Sequence, residues 1–116
     1  MLQDSLEMSL LYDTYGELLT EKQKTCFDLY YNQDLSLAEI AEDEGISRQG
    51  VHDSIARAEA ILRGYEQKLG CVEKERAQKK AVAAILSNVK KLRSAKADEI
   101  LSLAEAIEQG LNLLKE

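Results

Sequence analysis

Five polar residues between positions 47 and 57 have the side chains and the spacing of a helix that contacts nucleic acid. Ser47, Arg48, Gln49, His52 and Arg57 fall within about three helical turns. Arg and Gln form paired hydrogen bonds with base edges, and Ser and Arg bind phosphate oxygens. We therefore take these five residues as candidate nucleic-acid-binding residues.

A second set of cations lies in the C-terminal third of the chain. Between residues 74 and 96, eight Lys or Arg residues stand against one acid, although the whole chain has a net charge of −6. Such a block can bind phosphate groups, or it can simply be a solvated helix face. Its candidate nucleic-acid-binding residues are Lys79, Lys80, Lys90, Lys91 and Arg93.

The sequence contains no recognisable catalytic or metal-binding motif. His52 is the single histidine, and Cys26 and Cys71 lie far apart without a CxxC motif. Zinc sites, catalytic triads and phosphate-binding loops all need converging groups at characteristic spacings. The sequence therefore predicts a non-enzymatic protein with no catalytic residues, no metal, no cofactor and no small-molecule substrate, and with both cysteines as reduced thiols.

The elements that position the candidate residues are predicted to be helices throughout. The chain has no proline, its aromatic content is 5%, and Leu, Ala, Glu and Lys recur along its 116 residues. This composition favours an all-α fold. The N-terminus has no basic start and no segment is apolar enough to cross a bilayer, so we expect a cytoplasmic protein without membrane insertion.

Capping motifs predict where the second and third helices begin. Thr20 with Gln23, and Ser36 with Glu39, have the spacing of capping boxes. Helices are therefore expected over residues 21–31 and 37–44.

A first helix is expected from about Asp4 to residue 15, just before Gly16. Its predicted apolar face contains Leu6 and Leu10, to which Met8, Leu11 and Tyr15 can be added.

The segment between the third and fourth helices has the features of a helix-turn-helix. That motif needs a small residue where two helices approach, a turn residue that tolerates positive φ, and apolar anchors on both sides. These needs are met by Ile40, Ala41, Gly45, Ile46 and Val51, and Ser47 would cap the fourth helix. The same region is acidic, since residues 42–55 contain four acids and one arginine, so this module is expected to bind DNA weakly.

A heptad pattern predicts a long fourth helix with a bend or an end near Gly70. Such a helix is longer than a compact three-helix domain can cover, so its distal part is expected to need a partner. The seam consists of Val51, Ile55, Ala58, Leu62, Tyr65, Leu69 and Val72.

Two further apolar stripes predict a C-terminal amphipathic helical hairpin, connected near residues 94–98. The stripes are Val82, Ile85, Val89 and Leu92, followed by Ile100, Ala104, Ile107, Leu111 and Leu114. We therefore divide the chain into a helix-turn-helix domain that runs into a long helix, residues 1–73, and a hairpin extension, residues 74–116. The stripes could pack within the chain or pair with a second copy, which leaves a homo-oligomer open.

Residues 11–69 resemble the YlxM-type family of small bacterial helix-turn-helix proteins. The resemblance rests on the segments LLTEKQ, LYY, SLAEIAE and ISRQGVHDSI, covers about half of the chain and fades after Leu69. The same stretch is more loosely similar to region 4 of sigma factors, in which the helix after the SR pair reads promoter DNA. Gly50, Asp53 and the acids at 42–44 depart from the sigma-factor pattern.

The YlxM-type resemblance implies a regulatory or accessory role in the signal recognition particle pathway, with the protein or RNA components of the particle as partners. The charge pattern fits this role, because a ribonucleoprotein offers RNA phosphates to the basic segment. The alternative is a sequence-specific transcription regulator whose helix over residues 47–57 enters the major groove of DNA. The ligand of the helix-turn-helix therefore stays open between DNA, RNA and a protein surface.

Overall fold

The computed structural model describes residues 5–115, and within them the fold is all-α with no strand, as predicted. The predicted first residue of the first helix, Asp4, lies outside the described residues. The helices are α1 Ser5–Tyr15, α2 Glu21–Tyr31, α3 Leu37–Glu44, α4 Arg48–Leu69, α5 Cys71–Leu92 and α6 Ala97–Leu113, with a 3₁₀ turn at Gly16–Leu18. Two compact units make up the chain, Met1–Val72 and Glu73–Glu116.

Both capping boxes form as the sequence predicted. The Gln23 backbone N–H donates to the Thr20 hydroxyl at 3.2 Å, and the Thr20 N–H donates to the Gln23 side chain at 3.0 Å. The same reciprocal pair joins Ser36 and Glu39 at 3.1 Å in each direction. The hydrogen bond from the Ser36 backbone lowers the pKa of the Glu39 carboxyl below its ordinary value. Each box satisfies two backbone groups at a helix start, which fixes where α2 and α3 begin.

Helix α4 runs through the centre of the first unit and contacts α1, α2 and α3. One cluster of buried side chains, which includes Phe27 and Leu62, lies between α1, α2 and α4. A second cluster, which includes Cys26, Ile40 and Ile55, lies inside the helix-turn-helix. The core of this unit therefore holds the helix-turn-helix against α4.

The predicted apolar face of α1 was wrong at Leu6, whose residue surface is 77% exposed. Met8, Leu11 and Tyr15 are buried instead. Residues two positions apart on a helix point in nearly opposite directions, so burial of Met8 turns Leu6 to solvent. Leu10 is half-buried at the edge of the core.

The fourth helix ends just before Gly70, in agreement with the predicted bend or end there, but the expectation that its distal part needs a further partner was wrong. Helix α4 ends at Leu69, and Gly70 adopts the left-handed conformation with φ 63° before α5 begins at Cys71. Leu69 is 60% exposed, whereas Leu62 is fully buried in a cluster with Met8 and Leu11 of α1. Val72, which follows the Gly70 turn, is buried in the same cluster, so α1 covers much of the seam that was expected to need a partner.

The second unit is an antiparallel hairpin of α5 and α6. Lys91 lies near Leu103 at one end, and Ala77 lies near Leu114 at the other. The helices touch at Gly110, where an added Cβ would lie only 2.7 Å from Ile85 Cγ1. The connection follows Leu92, and Asp98 falls in the first turn of α6, where its charge suits the helix dipole.

Among residues 5–115, no helix is long and apolar enough to cross a membrane. In the same part of the chain, no group of three His, Cys, Asp or Glu residues could hold a metal ion. Both cysteines are free thiols, with Cys26 buried and Cys71 exposed.

Candidate nucleic-acid interface

The turn between α3 and α4 sets the start of α4 at Arg48. Gly45 closes α3 in the left-handed conformation with φ 67°, which a side chain would disfavour. Ile46 N–H then donates to the Ala41 carbonyl at 3.1 Å, and the Ser47 hydroxyl accepts from the Gly50 N–H at 2.9 Å. The geometry is that of a helix-turn-helix in which α4 occupies the position of the recognition helix.

All five candidate residues of the first set are exposed at the start of α4. Ser47 is the cap, Arg48 and Gln49 are in the first turn, and His52 and Arg57 follow along the helix. Arg48 and Arg57 form no ion pair with any carboxylate among the described residues. Their guanidinium groups are therefore available to an external anion.

Asp53 organises the polar side chains between these two arginines. Its Oδ1 accepts a hydrogen bond from Gln49 Nε2 at 2.9 Å, and His52 Nδ1 lies 3.6 Å from the same oxygen. The carboxylate thus orients the Gln49 amide and lies close to the His52 ring, but it also places a negative charge in the centre of the face. A negative charge at this position repels phosphate, so the prediction of weak DNA binding stands as a prediction.

A cleft of about 420 Å³ lies beside this face, between the start of α2 and the exposed side of α4. Lys22 from α2 and Arg57 from α4 both line the cleft, and Lys22 also has no ion pair with a described carboxylate. The other lining residues are Thr20, Gln23, Gly50, Asp53 and Ser54.

Lys22 was not among the residues predicted from the sequence. It lies near Arg57 only because α2 packs against α4. No local pattern could have indicated that both residues line one cleft, since the whole of α3 separates them in the sequence. Lys22 thus adds a third cation to the candidate interface, beside Arg48 and Arg57, and the cleft has the volume to hold a phosphate group.

The second set of candidate residues belongs to the second unit. Lys79, Lys80, Lys90 and Lys91 are exposed on α5, and Arg93 is exposed just after its end. The two lysine pairs are eleven residues apart, which is three helical turns, so they project from the same side of α5 about 17 Å from each other. Lys79 Nζ lies 3.3 Å from Glu75 Oε1, and this carboxylate offsets part of the lysine charge.

Comparison with known proteins places the chain among bacterial relatives of similar length. A family model described as "Putative helix-turn-helix protein, YlxM / p13 like" matches residues 2–112. The sequence motifs suggested that the likeness fades after Leu69, and this was wrong. The match extends through α5 and α6.

Three relatives illustrate the range of similarity. A UPF0122 protein of Clostridium kluyveri is 46% identical over 100 residues, which is 86% of this chain and 90% of that protein. One from Thermoanaerobacter sp. is 43% identical over 112 residues, 96% of each chain. One from Caldanaerobacter subterraneus is 52% identical over 85 residues, 73% of each chain.

Proposed function

The chain belongs to the UPF0122 family of YlxM- and p13-like helix-turn-helix proteins, and from this premise we propose that it is a non-enzymatic accessory or regulatory protein that binds nucleic acid. The observation that carries the proposal is the exposed start of α4. Arg48 and Arg57 stand there without carboxylate partners among the described residues, on the helix that enters a groove in other helix-turn-helix proteins.

Lys22 extends this surface to the start of α2. Lys22 and Arg57 line the same cleft, so a phosphate bound there would meet two cations. Base or backbone contacts would come from Arg48, Gln49 and His52, and Ser47 has a hydroxyl hydrogen still available to a phosphate oxygen. These roles make the start of α4 the reading surface and the cleft an anchoring point.

We place this activity in the cytoplasm, in the signal recognition particle pathway. The pathway comes from the resemblance of residues 11–69 to the YlxM type, and the charge distribution supports it. The five cations Lys79, Lys80, Lys90, Lys91 and Arg93 are exposed along or just beyond α5, where they can meet RNA phosphates without base contacts. The acidic helix-turn-helix needs such help, because its own field repels nucleic acid.

The test is a paired titration of the purified full chain against signal recognition particle RNA, the protein of that particle and a mixed-sequence DNA duplex, over a salt series. The Arg48→Ala, Arg57→Ala double variant should bind the preferred nucleic acid more weakly and with a smaller salt slope, by about 0.9 for each lost phosphate contact to duplex. Lys68→Ala is the matched control, since this cation is exposed on the same helix three turns beyond Arg57.

Preference for the particle or its RNA over duplex supports the accessory role. Failure to bind any of the three would contradict the proposal. If the double variant behaves like Lys68→Ala, the start of α4 is not the interface.

A second candidate function is sequence-specific transcription control. It is favoured by the Gln49 amide, which Asp53 holds in a fixed position in the first turns of α4, where a recognition helix contacts base edges. Selection from random duplexes would test it, because Gln49→Ala should lose a defined sequence preference while Lys90→Ala should lower only the salt slope. Recovery of no preferred sequence would rule this function out.

A further inference from the structure

The hairpin of α5 and α6 leaves a row of apolar side chains in water. No described residue after Val72 is fully buried, so the side chains between the two helices are at most half-buried. Leu86 is 56% exposed and Ile100 is 46% exposed. We define the hairpin strip as Val82, Leu86 and Val89 of α5 together with Ile100, Ala104 and Leu111 of α6.

The two halves of the hairpin strip lie on the same side of the hairpin. On α5, Val82 and Val89 lie three residues before and four residues after Ile85, which faces α6 at Gly110. On α6, Ile100 and Leu111 lie three residues before Leu103 and four residues after Ile107. Leu103 and Ile107 are half-buried and share the helix face of Gly110, which touches Ile85. On each helix, the strip residues are therefore rotated about the helix axis in the same direction, away from the side that touches the other helix. Because the helices are antiparallel, this rotation brings both rows to one face.

The charges of the two helices are opposite. Helix α5 carries six bases and two acids, a net of +4, whereas α6 carries four acids and no base, a net of −4. Two ion pairs lie within α5, between Arg76 and Glu73 and between Lys79 and Glu75. Among the described residues, Lys90 and Lys91 form no ion pair, nor do the α6 acids Asp98, Glu99, Glu105 and Glu108.

We propose that the hairpin strip is the docking surface for a second copy of this chain, so that two hairpins form a four-helix bundle. Two arrangements with a two-fold axis bring the strips face to face. If the axis runs across the helices, α5 of one copy faces α5 of the other, and helices of like charge are neighbours. If the axis runs parallel to the helices, α5 of each copy faces α6 of the other. The parallel axis pairs +4 with −4 on both sides of the bundle, and all neighbouring helices are antiparallel.

This dimer goes beyond nucleic-acid binding and does not depend on it. The bundle gives α5 and α6 the interior that a single hairpin lacks, and it removes an exposed apolar surface from water. The assembly would carry two copies of the candidate interface on α4.

The first test is the mass of the full chain by sedimentation equilibrium with reducing agent present, because the exposed Cys71 could otherwise form artificial disulfides. We expect a mass twice the 13.0 kDa of one chain. Leu86→Glu should shift it to one chain while helix content by circular dichroism is retained. Leu101→Glu is the matched control, since Leu101 is 70% exposed on α6 but lies outside the strip, and it should stay dimeric.

Three outcomes would overturn the proposal. They are a wild-type chain that is monomeric at every concentration, a Leu86→Glu chain that remains dimeric, and equal loss of the dimer in the Leu101→Glu control.

The second test concerns the axis. Replacing Lys90 and Lys91 by Gln should weaken the dimer by about two- to five-fold if α5 faces the acidic α6 of the other copy. Tighter association would mean that α5 faces α5, and it would overturn the proposed arrangement.

Discussion

The Tyr15 hydroxyl at the end of α1 donates a 2.7 Å hydrogen bond to Glu66 Oε1 near the end of α4. The same hydroxyl accepts from the Cys71 backbone N–H at 3.1 Å, and the same Glu66 oxygen accepts from the Val72 N–H at 3.0 Å. The first two backbone donors of α5 are therefore satisfied by side chains from α1 and α4. This pair fixes where α4 stops and α5 starts.

Removing the Tyr15 hydroxyl should loosen this junction. We expect Tyr15→Phe to lower the free energy of unfolding of the first unit by about 2 kcal/mol, because the hydroxyl bonds a carboxylate and its loss leaves the Cys71 N–H without its partner. Urea unfolding followed by tyrosine fluorescence measures it, since all five tyrosines lie between residues 12 and 65. Tyr30→Phe is the control, as the Tyr30 hydroxyl has no described hydrogen bond, and equal effects of both changes would refute the role of the Tyr15–Glu66 pair.

The same pair predicts a loss of stability at high pH. Burial and then the hydrogen bond to Glu66 raise the pKa of Tyr15 from 10.0 to about 12. Between these two values the unfolded chain releases the tyrosine proton while the folded chain retains it, so the stabilisation present below pH 10 is lost as the pH rises towards 12. The unfolding free energy of the wild type should fall more steeply over this window than that of Tyr15→Phe. Parallel curves would contradict the prediction.

Two glycines near the end of α4 should respond to alanine in opposite directions. Gly70→Ala should destabilise the first unit by about 1 kcal/mol, because φ at Gly70 is +63° and a Cβ is strained there. Gly64→Ala should stabilise it by about 0.5–1 kcal/mol, because this residue is inside α4 and an added Cβ has nothing within 4 Å. Urea midpoints of the two variants provide the comparison. Stabilisation by Gly70→Ala would mean that α4 and α5 can form one continuous helix.

Neutralising Asp53 should strengthen nucleic-acid binding. Asp53→Asn removes a negative charge from the cleft that Lys22 and Arg57 line, and the amide oxygen can still accept from Gln49. We expect an affinity about two- to five-fold higher at low salt, with the gain shrinking as salt rises. Fluorescence anisotropy of a labelled duplex or RNA measures it. The control is Asp13→Asn, because Asp13 is exposed on α1 outside the cleft, and this variant should bind with unchanged affinity. An equal gain of affinity in both variants would contradict the prediction, because it would show that affinity depends only on net charge.

Local signals in the sequence predicted the parts of the fold that depend on local contacts. The capping residues Thr20 and Ser36 gave the starts of α2 and α3, and Gly45 with Ser47 gave the turn. These motifs act through hydrogen bonds within three or four residues, so spacing alone identifies them. The family comparison agrees with the helix-turn-helix that they define.

Features that depend on contacts between distant segments could not be predicted from the sequence. Heptad spacing counted Leu69 as part of a buried seam, but Leu69 is 60% exposed, and the Tyr15–Glu66 pair at the end of α4 joins segments 51 residues apart. Hydropathy would place Glu59 on an exposed face, yet the residue is 7% exposed, and its side chain raises the pKa of the neighbouring Tyr31, after the larger effect of burial. Periodicity records which residues share a face of one helix and carries no information about the segment packed against it.

The most direct test of the candidate interface is an amide chemical-shift titration of the ¹⁵N-labelled full chain with the nucleic acid that binds best. The proposed interface predicts that the largest shifts fall at residues 20–23 and 47–57, which line the cleft and form the start of α4, and that these shifts weaken as salt rises. Shifts confined to residues 79–93, with α4 unchanged, would contradict it and assign nucleic-acid binding to the basic side of α5.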